Sequence, residues 1–157
     1  MGPHPTDRGK PGTKRHLAVA RQGLPLAAGL TGAERPDATV FAAVIDAIPP
    51  VRGPRGRPRQ RPDKVHADTG YDARHCRRYL HRRGITVRIA RKGVEEKSRL
   101  GRWRWVVGRT FAWLNHYRRL AIRYERREEL HQAFLDRACA LICLKALHRQ
   151  TQELCNE

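Results

Sequence analysis

A chain of 157 residues with 33 Lys plus Arg against 15 Asp plus Glu, and a formal net charge of +18, has room for one domain and points to nucleic acid as its partner. Arg far outnumbers Lys, which favours planar, bidentate contact with phosphate. A hydrophobic content of 39% argues against a purely disordered basic tail. No stretch approaches the roughly 18 apolar residues of a membrane span, and Met1 to Asp7 lacks the apolar core of a secretion signal. Cys76, Cys139, Cys143 and Cys155 form no CxxC pair, so free thiols in a reducing cytoplasm are expected.

In chain order, a turn-rich polar stretch up to about Lys14 leads into two short strands, 16–20 and 24–28, which read as a hairpin around Arg21-Gln22-Gly23. Asp37 is placed to N-cap a helix through Phe41, Val44, Ile45 and Ile48, stopped by Pro49-Pro50. Residues 50–62 form a basic Pro/Gly/Arg loop or exposed arm within the domain, carrying Arg52, Arg55, Arg57, Arg59 and Arg61. That composition repels itself and buries little. Next come a strand over 64–67 ending at Asp68, a helix over 72–81 and a strand over 85–90, which predicts a parallel pair with a right-handed crossover. A loop over 91–101 then precedes helices over 102–120 and 127–147, the second with Leu130, Phe134, Ala138, Leu141, Ile142 and Leu144 at near-helical spacing.

The chemistry centres on an acidic island, His66-Ala67-Asp68-Thr69-Gly70-Tyr71-Asp72. Asp68 falls at the carboxyl end of a strand, where open α/β sheets place ligands, and Gly70 permits close backbone approach. Two readings stand side by side: Asp68 holds a divalent metal, or Asp68 and Asp72 cap the helix that follows. Phosphodiester chemistry with Mg²⁺ needs two or three carboxylates from different elements. Glu95, Glu96, Glu125, Glu128 and Glu129 are available, although Glu128 and Glu129 suit pairing with neighbouring Arg side chains. His66 shares a pleat face with Asp68 and is a candidate to orient a carboxylate or water. Trp103, Trp105 and Trp113 fit a packed helix better than a base-stacking platform. Cys139 and Cys143, with His131 and His148, suit a soft metal by spacing, but core packing is the stronger reading.

The blocks from Arg61 to Asp72, Arg83-Gly84-Ile85, Ile89-Ala90-Arg91-Lys92-Gly93, Arg104 to Leu114 and Arg118-Arg119-Leu120 together resemble the carboxy-terminal part of bacterial insertion-sequence transposases of the DDE class. The resemblance extends to Gly2 through Lys14 and the hairpin. It implies a partial RNase H-like α/β fold, with an N-terminal hairpin, a strand-helix-strand unit and a helical C-terminal portion. It further implies DNA cleavage and transfer through two Mg²⁺ ions held by two Asp and one Glu, with transposon ends as the DNA partner and homo-oligomerisation in prospect. By this resemblance Asp68 matches the second Asp. The first belongs to a strand preceding the block that here starts after Met1, and the Glu position holds Gly108. Arg104 matches a basic residue near the family's site, and Arg109 is a DNA- or site-positioning candidate. The expectation is a truncated, incomplete catalytic domain spanning 1–157 that does not transpose alone. Arg52, Arg55, Arg57, Arg59, Arg61, Arg77, Arg78, Arg82, Arg83, Arg118 and Arg119 are the candidate phosphate contacts. The competing reading is a non-catalytic basic nucleic-acid-binding protein.

Overall fold

The hairpin is built first and most extensively. In a computed structural model describing residues 1–3, 8–53, 55–93 and 97–155, with the side chains of 97–104 excepted, β2 (Pro11–Val19) pairs antiparallel with β3 (Pro25–Gly32). The register runs from Thr13 opposite Gly32 to Ala18 opposite Ala27 and shifts by a bulge at Ala18/Val19. β2 starts earlier and β3 ends later than the sequence predicts, because small residues such as Gly12, Gly29 and Gly32 extend the ladder without an apolar alternation to announce it. The turn closes through Gly23 N–H to Ala20 O and Ala20 N–H to Leu24 O, both 2.8 Å. Gly23 takes φ +86 there, a conformation that favours glycine. A short β1 (Gly2–Pro3) lies on the other side of β2, with Gly2 opposite Gly12 and Pro3 opposite Pro11.

After the hairpin, a 3-10 turn over Asp37–Val40 leads into α1 (Phe41–Asp46). The N-cap is Pro36 and no side chain caps the turn, which corrects the expected role of Asp37. Its carboxylate instead pairs with Lys14 at 3.2 Å. The basic loop is pinned at its base, because Val51 and Arg59 exchange two backbone hydrogen bonds of 2.8 Å.

The strand-helix-strand unit follows the sequence reading closely: β4 (Lys64–Ala67), α2 (Arg74–Arg82) and β5 (Thr86–Ile89), with β4 and β5 parallel and Lys64 opposite Thr86. A 3-10 turn over Thr69–Tyr71 intervenes before α2, whose N-cap is Ala73, so Asp72 does not cap it. Asp72 binds Arg77 of α2 at 2.7 Å and the Lys92 amide at 3.0 Å, strapping the chain after β5 to the helix. Those two hydrogen bonds, the backbone one first, hold its carboxyl below the usual range.

The C-terminal portion is helical, with different bounds from those expected: α3 (Lys97–Asn115), α4 (Arg118–Ala121) and α5 (Glu128–Cys155). Tyr117 adopts an extended ψ of 112, which divides what the sequence presents as one helix over 102–120. The buried face of α5 is His131, Leu135, Ala138 and Ile142, whereas Leu130 and Leu144 are exposed. The apolar stripe is thus rotated by about one residue, because a histidine joins it.

Two cores result, one on each face of β2. Ala18 packs with Phe41, Ile45, Cys76 and Leu80 of α1 and α2, while its neighbour Leu17 packs with Leu114, Leu135 and Ile142. Successive strand residues point to opposite faces, so helices cover the hairpin on both sides.

Candidate active site

Asp68 is the residue immediately after β4, at its carboxyl end, as the sequence predicts. Its Oδ1 accepts the Gly70 amide at 2.8 Å, so it caps the 3-10 turn over Thr69–Tyr71. Neither Asp68 nor Asp72 caps α2 as expected; Asp68 caps the 3-10 turn instead, and the Asp72 side chain caps nothing. Gly70 fits closely: a Cβ there would lie 3.1 Å from Asp68 Oδ1 and 3.3 Å from Asp37 Oδ2, so one of the carboxylates would have to give way slightly. Two carboxylates thus converge over one glycine. The Tyr71 phenol beside them is pushed up to about 12, mainly by burial and then by the charges of Asp37 and Asp68.

Asp37 is the residue that sequence reasoning placed wrongly. It was read as a helix cap, and no local spacing links it to Asp68; only the docking of one 3-10 turn against the other brings them together.

His66, Asp68 and Gly108 line one cleft of about 1730 Å³ between β2, β4 and α3. Burial, then Lys64 and Arg88, holds the His66 ring below the ordinary imidazole value, so it is neutral near pH 7. Gly108 lies mid-helix in α3, and a Cβ added there meets nothing within 4 Å. The walls carry seven Lys or Arg against two Asp.

The other expected site residues lie elsewhere. Arg109 donates to the Gln22 carbonyl, and its guanidinium sits between Trp105 at 4.6 Å and Trp113 at 4.9 Å. It clamps the hairpin turn to α3, helped by Thr110 Oγ1 donating to Gly23 O at 2.6 Å. Trp105 is 55% exposed, which corrects the core reading for that ring, while Trp113 packs beside Leu114. The Arg104 and Trp103 side chains, Glu95 and Glu96 lie outside the described residues.

Arg52, Arg55, Arg57, Arg59 and Arg61 are all exposed on the pinned loop. Arg59 pairs with Asp63, and Arg61 donates to the Arg83 carbonyl at 3.2 Å. Arg118 is exposed, and Arg119 reaches Glu125 at 2.9 Å while covering Tyr124 and Phe134. Glu125 is buried between Arg119 and His131, lining a second cavity rather than the Asp68 cleft. Cys139 packs in the second core and Cys143 contacts the Pro25 carbonyl, in keeping with the packing reading.

Residues 2–143 match the family of the transposase DDE domain. The chain belongs to that family. It is also 54% identical over 153 residues to "Putative transposase for insertion sequence element IS402" of Burkholderia cepacia, a match covering 98% of this chain and 72% of that relative. No solved structure matches. Family membership gives this transposase-domain chain a role in DNA transposition. The family generally uses divalent metal. The donor set falls short of two such ions: among the described residues the cleft's carboxylates are Asp68 and Asp37, Asp37 is paired with Lys14, and Gly108 offers no side-chain oxygen. Among the described residues, no group of three His, Cys, Asp or Glu side chains converges to hold a metal. Among them, too, no helix is long and apolar enough to cross a membrane.

Proposed function

We propose that this chain acts in DNA transposition as a DNA-binding, RNase H-like portion of a DDE catalytic domain, and that by itself it neither cleaves nor joins DNA strands. Asp68 is its metal-directed carboxylate. One observation carries the reading: Asp68 and Gly108 line the same cleft, and the space beside Gly108 is open where the family resemblance puts a Glu. Two ions bridged across an in-line displacement need several carboxylates, and one Asp with a glycine opposite does not supply them.

DNA affinity comes from Arg52, Arg55 and Arg57 of the 50–62 loop and from Arg118, exposed side chains without the structural ties that hold Arg59, Arg61, Arg109 and Arg119. Transposon ends are the expected target, and a homo-oligomer the expected working form. The test is a strand-nicking and strand-transfer assay on duplex carrying element ends, with Mg²⁺ or Mn²⁺, run beside a binding assay. Retained binding without cleavage supports the proposal. Metal-dependent strand transfer by the unaltered protein, lost in Asp68→Ala, overturns it.

A purely nucleic-acid-binding role is favoured by the exposed Arg loop, whose arginines do not line the cleft. A salt-titrated comparison of element ends with random duplex separates the two, because a sequence-independent binder shows equal affinity for both.

A further inference from the structure

α5 carries two stripes. One, His131, Leu135, Ala138 and Ile142, is buried against the rest of the chain. The other, Ala140, Leu144, Leu147, Thr151 and Leu154, recurs at alternating spacings of four and three residues, the pattern by which one helix packs along another. At about 100° per residue the second stripe falls on the side of α5 opposite the first. All five of its residues are exposed, Leu144, Leu147 and Leu154 to 59%, 60% and 74%. Single exposed leucines need no explanation, whereas three in line on one helix face mark an interaction surface. The end of α5 also has little support of its own. From Leu147 to Cys155 every residue is exposed, and a stretch shorter than roughly 12–15 residues is marginal as an isolated helix. Thr151 Oγ1 donates to the Leu147 carbonyl at 3.1 Å, so its hydroxyl is satisfied within the helix and poses no obstacle to an apolar seam.

The charge pattern selects the occupant. The chain has a formal net charge of +18, so most approaches of one copy to another are repulsive. From Ala138 to Cys155 the only Lys and Arg are Lys145 and Arg149, and helical geometry puts both on the side of α5 away from the second stripe. Lys145 accordingly lies over the Tyr117 ring, 6.0 Å from its centroid, on the side of the domain core. The positions flanking the stripe are Cys143, His148, Gln150 and Cys155, without a Lys, Arg, Asp or Glu among them. Two copies therefore meet along this stripe leucine against leucine, with no like charges across the seam. An acidic partner would be drawn instead to the arginine-rich surfaces, which this face avoids.

We propose that the stripe from Ala140 to Leu154 is a self-association seam, on which α5 pairs with α5 of a second copy of this chain about a two-fold axis. This rests on the homo-oligomer expectation and names its surface, and it depends on neither the DNA-binding nor the catalytic reading. The seam spans about two heptads, which places it among small, transient interfaces of less than about 1,200 Å² and makes the dimer a weak one. Its salt dependence is distinctive. Added salt screens the repulsion between the two cationic bodies and strengthens the dimer, whereas it weakens contact with DNA.

The test is sedimentation equilibrium of the intact, DNA-free chain from about 1 μM to about 1 mM, at low and high salt. Reductant is present throughout, so that the exposed Cys155 does not cross-link copies. A monomer–dimer equilibrium is expected, at least about threefold tighter at high salt. Leu144→Glu with Leu147→Glu keeps good helix formers on α5 and is expected to weaken it at least about tenfold. Leu130→Glu, at a leucine of α5 that is 51% exposed but lies off the stripe, is expected to leave it unchanged. A cooperative melt for each variant shows that it folds. A chain monomeric throughout the range, a dimer indifferent to the double substitution, one weakened as much by Leu130→Glu, or one that loosens as salt is added overturns the proposal. Because the sample contains no DNA, each of these results leaves the DNA-binding reading to its own assay.

Discussion

Gly108 and Gly23 form a matched pair of substitutions with opposite expected signs. Gly108 lies inside α3 and a Cβ there meets nothing within 4 Å, so Gly108→Ala gains the helix propensity that glycine forgoes without meeting a clash. The gain is about 1 kcal/mol, which for a chain of this size raises Tm by roughly 2–4 °C. Gly108→Glu is expected to gain nearly as much, since Glu is a good helix former and its carboxylate would enter a cationic cleft. Gly23→Ala runs the other way. Its φ of +86 costs a non-glycine residue roughly 1–2 kcal/mol, and the added Cβ would sit 2.9 Å from an Arg109 terminal nitrogen. Urea and thermal unfolding of the three variants beside the parent provide the measurement. Destabilisation by Gly108→Ala would mean that something packs closely against the helix there, and the description of that position as open would be refuted.

Three further outcomes follow from the same structure. Burial holds His16 and His131 below the ordinary value of 6.5, so the unfolded chain binds protons first as pH falls; stability is full above that value and is lost below it. The loss is at most about 1.4 kcal/mol per pH unit for each ring, and a denaturation midpoint that stays flat from about pH 8 to pH 5 would count against it. Replacing Arg52, Arg55 and Arg57 with Gln should lower the slope of log K against log salt by roughly 0.9 for each phosphate contact removed, and an unchanged slope would show that the loop does not touch DNA. Asp68→Asn keeps an oxygen for the Gly70 amide whereas Asp68→Ala does not, so Asn should remain about 1 kcal/mol more stable than Ala; equal stabilities would dismiss the cap.

The strand-helix-strand unit was legible almost to the residue because each piece carries its own signal: Lys64–Ala67 ends at an acidic turn, α2 has apolar residues at Cys76 and Leu80, and Gly84 marks the return. The hairpin was legible in kind but not in length, since its outer rungs are built from small residues. The division of α3 from α4 had no local signal, because Tyr117 is neither a Gly nor a Pro. The face of α5 was misplaced by about one residue because His131 is buried against Glu125, and a titratable residue on an apolar stripe is discounted by any hydrophobicity count. The place of Asp68 at the end of β4 was legible from the strand pattern, and Gly108, singled out by resemblance, lines the same cleft. Asp37 was not, since its approach to Asp68 arises from tertiary docking alone.

Capping the 3-10 turn and standing on the cleft wall are compatible for Asp68. A carboxylate that accepts the Gly70 amide is held in one orientation by that bond. The cap therefore fixes Asp68 on the wall of the cleft, beside Asp37, with cations around both. Lys14 balances one member of the pair, Asp37, at 3.2 Å. Among the described residues the arrangement lacks a third carboxylate, and Gly108, on the same cleft and with room for a side chain, supplies none.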